Sequence, residues 1–71
     1  MRPLIGITAS RRVDERGGWA YDESYAPNAR AIERAGGLPV LIPSGLSDDT
    51  LRGIYERVDA VLLPEIGRAH V

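Results

Sequence analysis

The stretch "AIERAGGLPVLIP", Ala31 to Pro43, decides the fold class of this chain. Gly36 and Gly37 predict the end of a helix, because glycine takes the left-handed conformation after a helix without a Cβ penalty. The apolar run that follows, Leu38–Ile42, predicts a buried strand, and Pro39 near its start favours the first residue or an edge position. A helix that passes directly into a buried strand is typical of α/β proteins.

Upstream of this stretch, the sequence predicts that the helix begins near Asp22 or Ser24, either of which could cap it. Pro27 then falls in the first turn, where the missing N–H of proline removes no helical hydrogen bond. Tyr25, Ala29, Ile32 and Gly36 follow the spacing i, i+4, i+7, i+11, which predicts the helix face that packs on a sheet.

Two more strands and a second helix are predicted on either side. Pro3–Thr8 and Ala60–Leu63 are short apolar runs of the kind found in buried strands. Ser47 is the predicted cap of the second helix, whose apolar stripe consists of Leu51, Ile54, Tyr55 and Val58. Residues 9–21 carry no apolar period, so we expect a long loop of the kind that forms lids and binding loops.

The order strand, loop, helix, strand, helix, strand predicts right-handed βαβ units and a parallel sheet. Two helices cannot cover three strands on both faces, so we expect residues 1–64 to be the front part of a larger domain. The chain by itself is therefore expected to fold poorly or to aggregate. Its last strand ends where α/β proteins build their sites, at the carboxyl edge of the sheet.

Composition excludes several classes of function. The chain has 71 residues, a net charge of −1, no cysteine and one histidine. It therefore forms no disulfide, and its one histidine cannot build a zinc site alone. The charge favours neither nucleic acid nor a membrane as a partner, and no nucleotide-binding glycine motif follows the first strand. We expect a cytoplasmic protein without a cofactor or a metal.

Few side chains are candidates for catalysis or ligand binding. Arg11 and Arg12 could bind a carboxylate, but a solvated loop of mixed charge explains them better. Trp19 and Tyr21 are expected to pin the loop onto the fold rather than to wall a pocket. The Tyr25 hydroxyl could contact a ligand, although its place on the helix stripe favours packing.

The deciding stretch also carries a family resemblance. "AIERAGGLPVLIP", preceded by "RPLIGIT" and "SYAPNA" and followed by "YERVDAVLLP", resembles the gamma-glutamyl-gamma-aminobutyrate hydrolase family. These are class I glutamine amidotransferase-like proteins, related to folate gamma-glutamyl hydrolases. The resemblance covers residues 2–64 and implies a three-layer, flavodoxin-like parallel sheet, here truncated to β-α-β-α-β.

The resemblance implies hydrolysis of a gamma-glutamyl amide by a cysteine nucleophile, assisted by a histidine and its acidic partner. The family places all three residues downstream, so no catalytic residue can be assigned in this sequence. The first loop and Tyr25 correspond to the border of the substrate cleft. The implied partner of the full-length protein is a small gamma-glutamyl molecule, and the oligomeric state is left open.

The sequence departs from the family after Pro64, where a glycine-rich loop of the oxyanion hole is expected. "EIGRAHV", residues 65–71, is instead one reading frame of a common sequencing adapter, GAG ATC GGA AGA GCA CAC GTC, followed by the stop codon TGA. We therefore expect a domain over residues 1–64 and a non-native tail over residues 65–71. His70, which lies in that tail, is not expected to be catalytic.

Two other interpretations stay open at this point. The strand and helix order with "ERVDAVLLP" also resembles the start of a ligand-binding effector domain of the periplasmic-binding-protein type. Such domains have a shorter first loop and lack "AGGLPVLIP", which favours the hydrolase family. A small standalone flavodoxin-like domain, with the bacterial receiver domain as its nearest analogue, is disfavoured because no acidic cluster follows the first strand.

Overall fold

A computed structural model describes residues 1–64 of the chain. Five strands and two helices follow one another along these residues. In chain order they are β1 (Leu4–Thr8), β2 (Ser10–Asp14), β3 (Trp19–Glu23), α1 (Ala26–Arg34), β4 (Leu38–Ile42), α2 (Asp48–Arg57) and β5 (Ala60–Leu62).

The predicted parallel sheet is confirmed. It has three strands in the order β4-β1-β5, and β1 pairs in parallel with both neighbours. Leu4 lies opposite Leu38 on one side, and Ile5 lies opposite Ala60 on the other. Pro39 therefore occupies an edge strand, as its sequence position indicates.

The predicted loop over residues 9–21 is wrong, because this segment forms an antiparallel hairpin of β2 and β3. Its turn is closed by the Gly18 N–H, which donates to the Asp14 carbonyl oxygen at 2.8 Å. Gly18 has a φ of 71°, a conformation that favours glycine. The hairpin lacks an apolar alternation because neither face is buried in the core, and every residue of β3 is exposed.

The hairpin also shifts the start of α1. Asp22 belongs to β3, so the helix begins at Ala26 and neither Asp22 nor Ser24 caps it. The helix ends as predicted: the Gly36 N–H donates to the Glu33 carbonyl and the Gly37 N–H to the Ile32 carbonyl. This pair of bonds is the Schellman motif, and the φ of 99° at Gly36 allows it.

The second helix confirms its predicted cap. The Ser47 hydroxyl accepts a hydrogen bond from the Thr50 N–H at 3.3 Å, and Asp48 and Asp49 lie in the first turn. At the far end, Asp59 joins α2 to β5 and to β1. Its N–H donates to the Leu4 carbonyl, and its Oδ2 atom accepts from the Leu4 N–H, both at 2.7 Å.

The core is small and is centred on β1. Ile7 and Ile42 are the buried hydrophobic side chains among residues 1–64. A Cβ on Gly37 would contact both Ile5 of β1 and Ile32 of α1. A Cβ on Gly6 would contact Val58 at the end of α2. Because Ile5 and Gly6 point to opposite faces of β1, the two helices cover opposite faces. Each face therefore has one helix. All of β5 is exposed among the described residues, so the predicted burial of this strand is wrong.

Candidate functional site at the carboxyl edge of the sheet

The carboxyl ends of the three parallel strands meet at one edge of the sheet. β1 ends at Thr8, β4 at Ile42 and β5 at Leu62. The hairpin follows β1 at this edge, and the turn of Pro43–Ser44 follows β4. Sites of α/β proteins lie at such an edge, so the first loop and its neighbours are the place to search for one.

A hydrogen-bonded contact ties the hairpin to this edge. The Asp22 Oδ1 atom accepts from the Ser44 N–H at 3.1 Å and from the Ser44 hydroxyl. The hydrogen bonds from the hydroxyl and then from the N–H of Ser44 lower the pKa of Asp22. Desolvation raises this pKa by a smaller amount, and the charge of Arg11 lowers it slightly further. The carboxylate is therefore the form that holds β3 against the turn after β4.

The two helix N-termini at this edge differ in electrostatics. In α2, Ser47 caps the helix and Asp48 and Asp49 neutralise the positive end of its dipole. In α1, no acidic residue lies in the first turn and no side chain caps the helix. Of these two helices, only α1 presents uncompensated positive dipole charge at the edge, which suits a carboxylate.

Tyr25 lies at the N-cap position of α1. Its backbone is extended, with φ −65° and ψ 116°, and its carbonyl accepts from the Asn28 N–H at 3.0 Å. The side chain is 72% exposed, so the prediction that it packs with the helix stripe is wrong. The reason is that Tyr25 precedes the helix and lies off its sheet-facing side. Tyr25 is therefore an exposed residue next to the helix end that no side chain caps.

One cluster of charged and aromatic side chains forms within the hairpin. Arg12 forms an ion pair with Glu23 at 2.9 Å and lies over the Tyr21 ring at 5.5 Å. This internal pairing agrees with a solvated role for Arg12 rather than carboxylate binding. Trp19 and Tyr21 do not pin the segment to the core, since both are exposed. Trp19 instead folds back over Gly17 in the turn.

The described residues contain few other side chains that could take part in catalysis or binding. The Ser24 hydroxyl, between β3 and α1, is buried without a hydrogen-bond partner among them. No group of three or more metal-binding side chains occurs within residues 1–64. His70 and the predicted tail lie outside the described residues, so the division at Pro64 stays a prediction.

Sequence reasoning placed Tyr25 at this edge but missed the contact of Asp22 with Ser44. That contact depends on the hairpin, and the nearest signals in the sequence were Gly17-Gly18 between β-forming residues.

Comparison with known proteins agrees with this architecture. A family model described as Peptidase C26 matches residues 3–67, nearly the whole chain. Comparisons with curated proteins and with solved structures give no match. Neither helix in residues 1–64 has the length and apolar character needed to cross a membrane.

Proposed function

Because this chain belongs to the peptidase C26 family of class I glutamine amidotransferase-like hydrolases, we propose that it is the N-terminal part of a cysteine-dependent gamma-glutamyl amide hydrolase. The substrate class is a small gamma-glutamyl amide, with gamma-glutamyl-gamma-aminobutyrate as the first candidate. The observation that carries the proposal is the family match over residues 3–67, in a chain that forms a parallel sheet of the kind that the family resemblance implies.

The chain contains no cysteine, so the thiolate that attacks the gamma-carbonyl must be supplied by residues beyond this sequence. The same holds for the histidine and acidic residue that move protons, and for the donors that stabilise the oxyanion. We therefore propose that the 71-residue chain is inactive alone. A cytoplasmic location is part of the proposal, since a reducing compartment keeps a catalytic thiol free.

Residues of the present chain contribute a border of the substrate cleft. A gamma-glutamyl substrate carries an α-carboxylate, and the uncapped N-terminus of α1 offers positive dipole charge to such a group. Tyr25 is exposed at the N-cap of that helix, and a tyrosine hydroxyl can donate a hydrogen bond. We assign Tyr25 to substrate binding on this basis. The tail over residues 65–71 is proposed to be translated adapter in place of the native continuation.

The decisive experiment recovers the source locus and reads the frame beyond Pro64. The expected result is a strand-to-helix elbow with a cysteine, followed later by a histidine and an acidic residue. A second βαβ lobe without cysteine would instead support the ligand-binding alternative. A genuine stop codon after Val71 in intact genomic DNA would refute both the truncation and the adapter origin of the tail.

Activity provides the second readout. The extended protein should release p-nitroaniline from gamma-glutamyl-p-nitroanilide, and replacing the elbow cysteine by serine should abolish release. The 71-residue chain should release none. In the extended protein, Tyr25→Phe should raise KM several-fold with little change in kcat, whereas Tyr55→Phe on α2 should change neither. Activity that purifies with the 71-residue chain would contradict the assignment of the catalytic residues.

A further inference from the structure

Two unsatisfied hydrogen-bonding features lie next to each other where the hairpin joins α1. The Ser24 hydroxyl is buried and has no hydrogen-bond partner among residues 1–64. Two residues further on, α1 begins at Ala26, with Tyr25 at the N-cap position and no side chain that caps the helix. Buried hydroxyls are normally hydrogen-bonded, and the first N–H groups of a helix need acceptors from outside it. Serine is among the best helix caps, so the hydroxyl and the helix end could satisfy each other.

One backbone angle separates the observed helix start from a start that Ser24 would cap. Tyr25 has a φ of −65°, which is already helical, but a ψ of 116°, which is extended. With a helical ψ of about −42°, the helix would begin one residue earlier and Ser24 would become its N-cap. The Ser24 hydroxyl would then accept from the Ala26 N–H. Pro27 would stay in the first turn, where its missing N–H removes no helical bond.

The contact of the hairpin with the turn after β4 opposes this change. Asp22 accepts hydrogen bonds from the N–H and the hydroxyl of Ser44, and these two bonds hold the end of β3 at the carboxyl edge. A turn of roughly 160° in ψ redirects the chain before Tyr25 and carries Asp22 away from Ser44. The two bonds to Asp22 and the Ser24 cap therefore belong to different positions of the hairpin.

The hairpin is built to move as one body. Its two strands pair over five residues each, from Ser10 opposite Glu23 to Asp14 opposite Trp19. No residue of β2 or β3 is buried among residues 1–64, so a movement of the hairpin disturbs no core packing of the described chain. Where β1 passes into β2, the Ala9 N–H donates to the Ile42 carbonyl at 3.0 Å. This bond keeps that end of the hairpin on the sheet, which makes it a hinge.

We propose that the hairpin is a lid on the carboxyl edge of the sheet, with a closed and an open position. In the closed position, which the structure shows, Asp22 is bonded to Ser44 and the Ser24 hydroxyl has no partner among the described residues. In the open position, the bonds to Asp22 are broken and Ser24 caps α1. Opening exchanges two bonds to a carboxylate for a helix cap and a satisfied hydroxyl, which are contributions of similar size. The proposal does not depend on the proposed function, because it concerns a movement and no reaction.

Hydrogen exchange of the Ala26 amide in the 71-residue chain, measured by NMR, tests the proposal. Asp22→Ala removes both bonds to Ser44, so the lid should open and the Ala26 amide should exchange more slowly, since Ser24 then accepts from it. Adding Ser24→Ala should speed this exchange about fivefold, the factor that a typical helix cap provides. Ser24→Ala in the wild-type background should have little effect. The effect of Ser24→Ala thus depends on whether Asp22 is present.

Glu23→Ala is the matched control. It removes a carboxylate from the neighbouring position of β3 and breaks the ion pair with Arg12, but it leaves the contact of Asp22 with Ser44 intact. The Ala26 amide of this variant should exchange at the wild-type rate.

Ser24→Asp opens the lid without removing either partner of the closed contact. Aspartate caps a helix as well as serine does, and a buried carboxylate without a partner disfavours the closed position. The chemical shift of the Ser44 amide should therefore move in the direction in which Asp22→Ala moves it.

An Ala26 amide that exchanges equally in the wild type and in a folded Asp22→Ala variant would overturn the proposal. The same conclusion follows if Ser24→Ala has equal effects in both backgrounds, because Ser24 would then act independently of the lid. If Asp22→Ala unfolds the chain, Ser24→Asp decides the matter, and a Ser44 amide shift that stays at its wild-type value refutes the open position.

Discussion

Replacing Gly6 by alanine tests whether the core is packed as the structure indicates. A Cβ at this position would lie 2.6 Å from the Ile42 Cδ1 atom and 3.2 Å from its Cγ1 atom. Carbon atoms prefer separations of about 3.5–4.0 Å, so the overlap is close to 1 Å. Ile42 is 3% exposed and β-branched, so its side chain has little freedom to move away.

The expected loss of stability follows from two opposing effects. Overpacking of a core costs about 1–3 kcal/mol. Alanine in place of glycine within a strand recovers about 0.5–1 kcal/mol through the unfolded state. Subtracting the mid-range values, we expect Gly6→Ala to lower the free energy of unfolding by about 1 kcal/mol. For a chain whose described core contains two buried hydrophobic side chains, this is a large effect.

A double-mutant cycle with Ile42→Val assigns the loss to the contact itself. Ile42→Val removes the Cδ1 atom and alone costs about 0.5–1.5 kcal/mol. The double variant should be about as stable as Ile42→Val, which gives a coupling of about 1 kcal/mol or more. Urea unfolding followed by circular dichroism at one fixed protein concentration measures all four proteins.

A glycine-to-alanine substitution in α2, Gly53→Ala, is the control for Gly6→Ala. The nearest atom to a Cβ on Gly53 is the Arg57 Nη1 atom at 3.6 Å, so Gly53→Ala should stabilise the chain by about 1 kcal/mol. The packing argument is refuted if Gly6→Ala is as stable as the wild type, or if its effect adds to that of Ile42→Val without coupling.

Three other predictions concern the ends of elements. Arg2→Met should cost about 1 kcal/mol in urea unfolding, because the guanidinium donates to the carbonyls of Gly36 and Gly37 at the end of α1; equal midpoints would contradict this. Ser47→Ala should cost about 0.5–1 kcal/mol through loss of the α2 cap, and an unchanged melting temperature would argue against a capping role. The lowered pKa of Asp22 means that its carboxylate strengthens the contact with Ser44 at neutral pH and that this support is lost as pH falls through the lowered pKa. Chemical shifts of the Ser44 amide should therefore report that titration, and Asp22→Asn should abolish it; a titration that persists in the Asn variant would exclude Asp22 as its source.

The sequence predicted the parallel part of the fold because its three strands are continuous apolar runs, although β5 is exposed among the described residues. The apolar runs predicted the three strands. Gly36-Gly37 predicted the end of α1 and Ser47 the start of α2, because helix caps depend on residues within one turn of the helix end. The hairpin was missed because the apolar alternation of a strand appears only when one face is buried. Every residue of β3 is exposed, and Glu23 of this strand forms an ion pair with Arg12 of β2.

The candidate site was predictable in position but not in detail. The topology placed it at the carboxyl edge of the sheet, and Tyr25 lies next to that edge. The contact between Asp22 and Ser44 joins residues 22 positions apart, and it forms only because the hairpin holds Asp22 in β3. An aspartate shortly before a helix is more often a cap, which is why the pattern was misinterpreted.

The hairpin has a consequence for optical measurements on this chain. Trp19 is the only tryptophan, and it lies on an exposed strand over the turn rather than in the core. Its emission therefore reports the local state of β2 and β3, while circular dichroism reports the helices and the sheet. If the two signals change at different temperatures, the difference is explained by where the fluorophore lies and does not by itself reveal a folding intermediate.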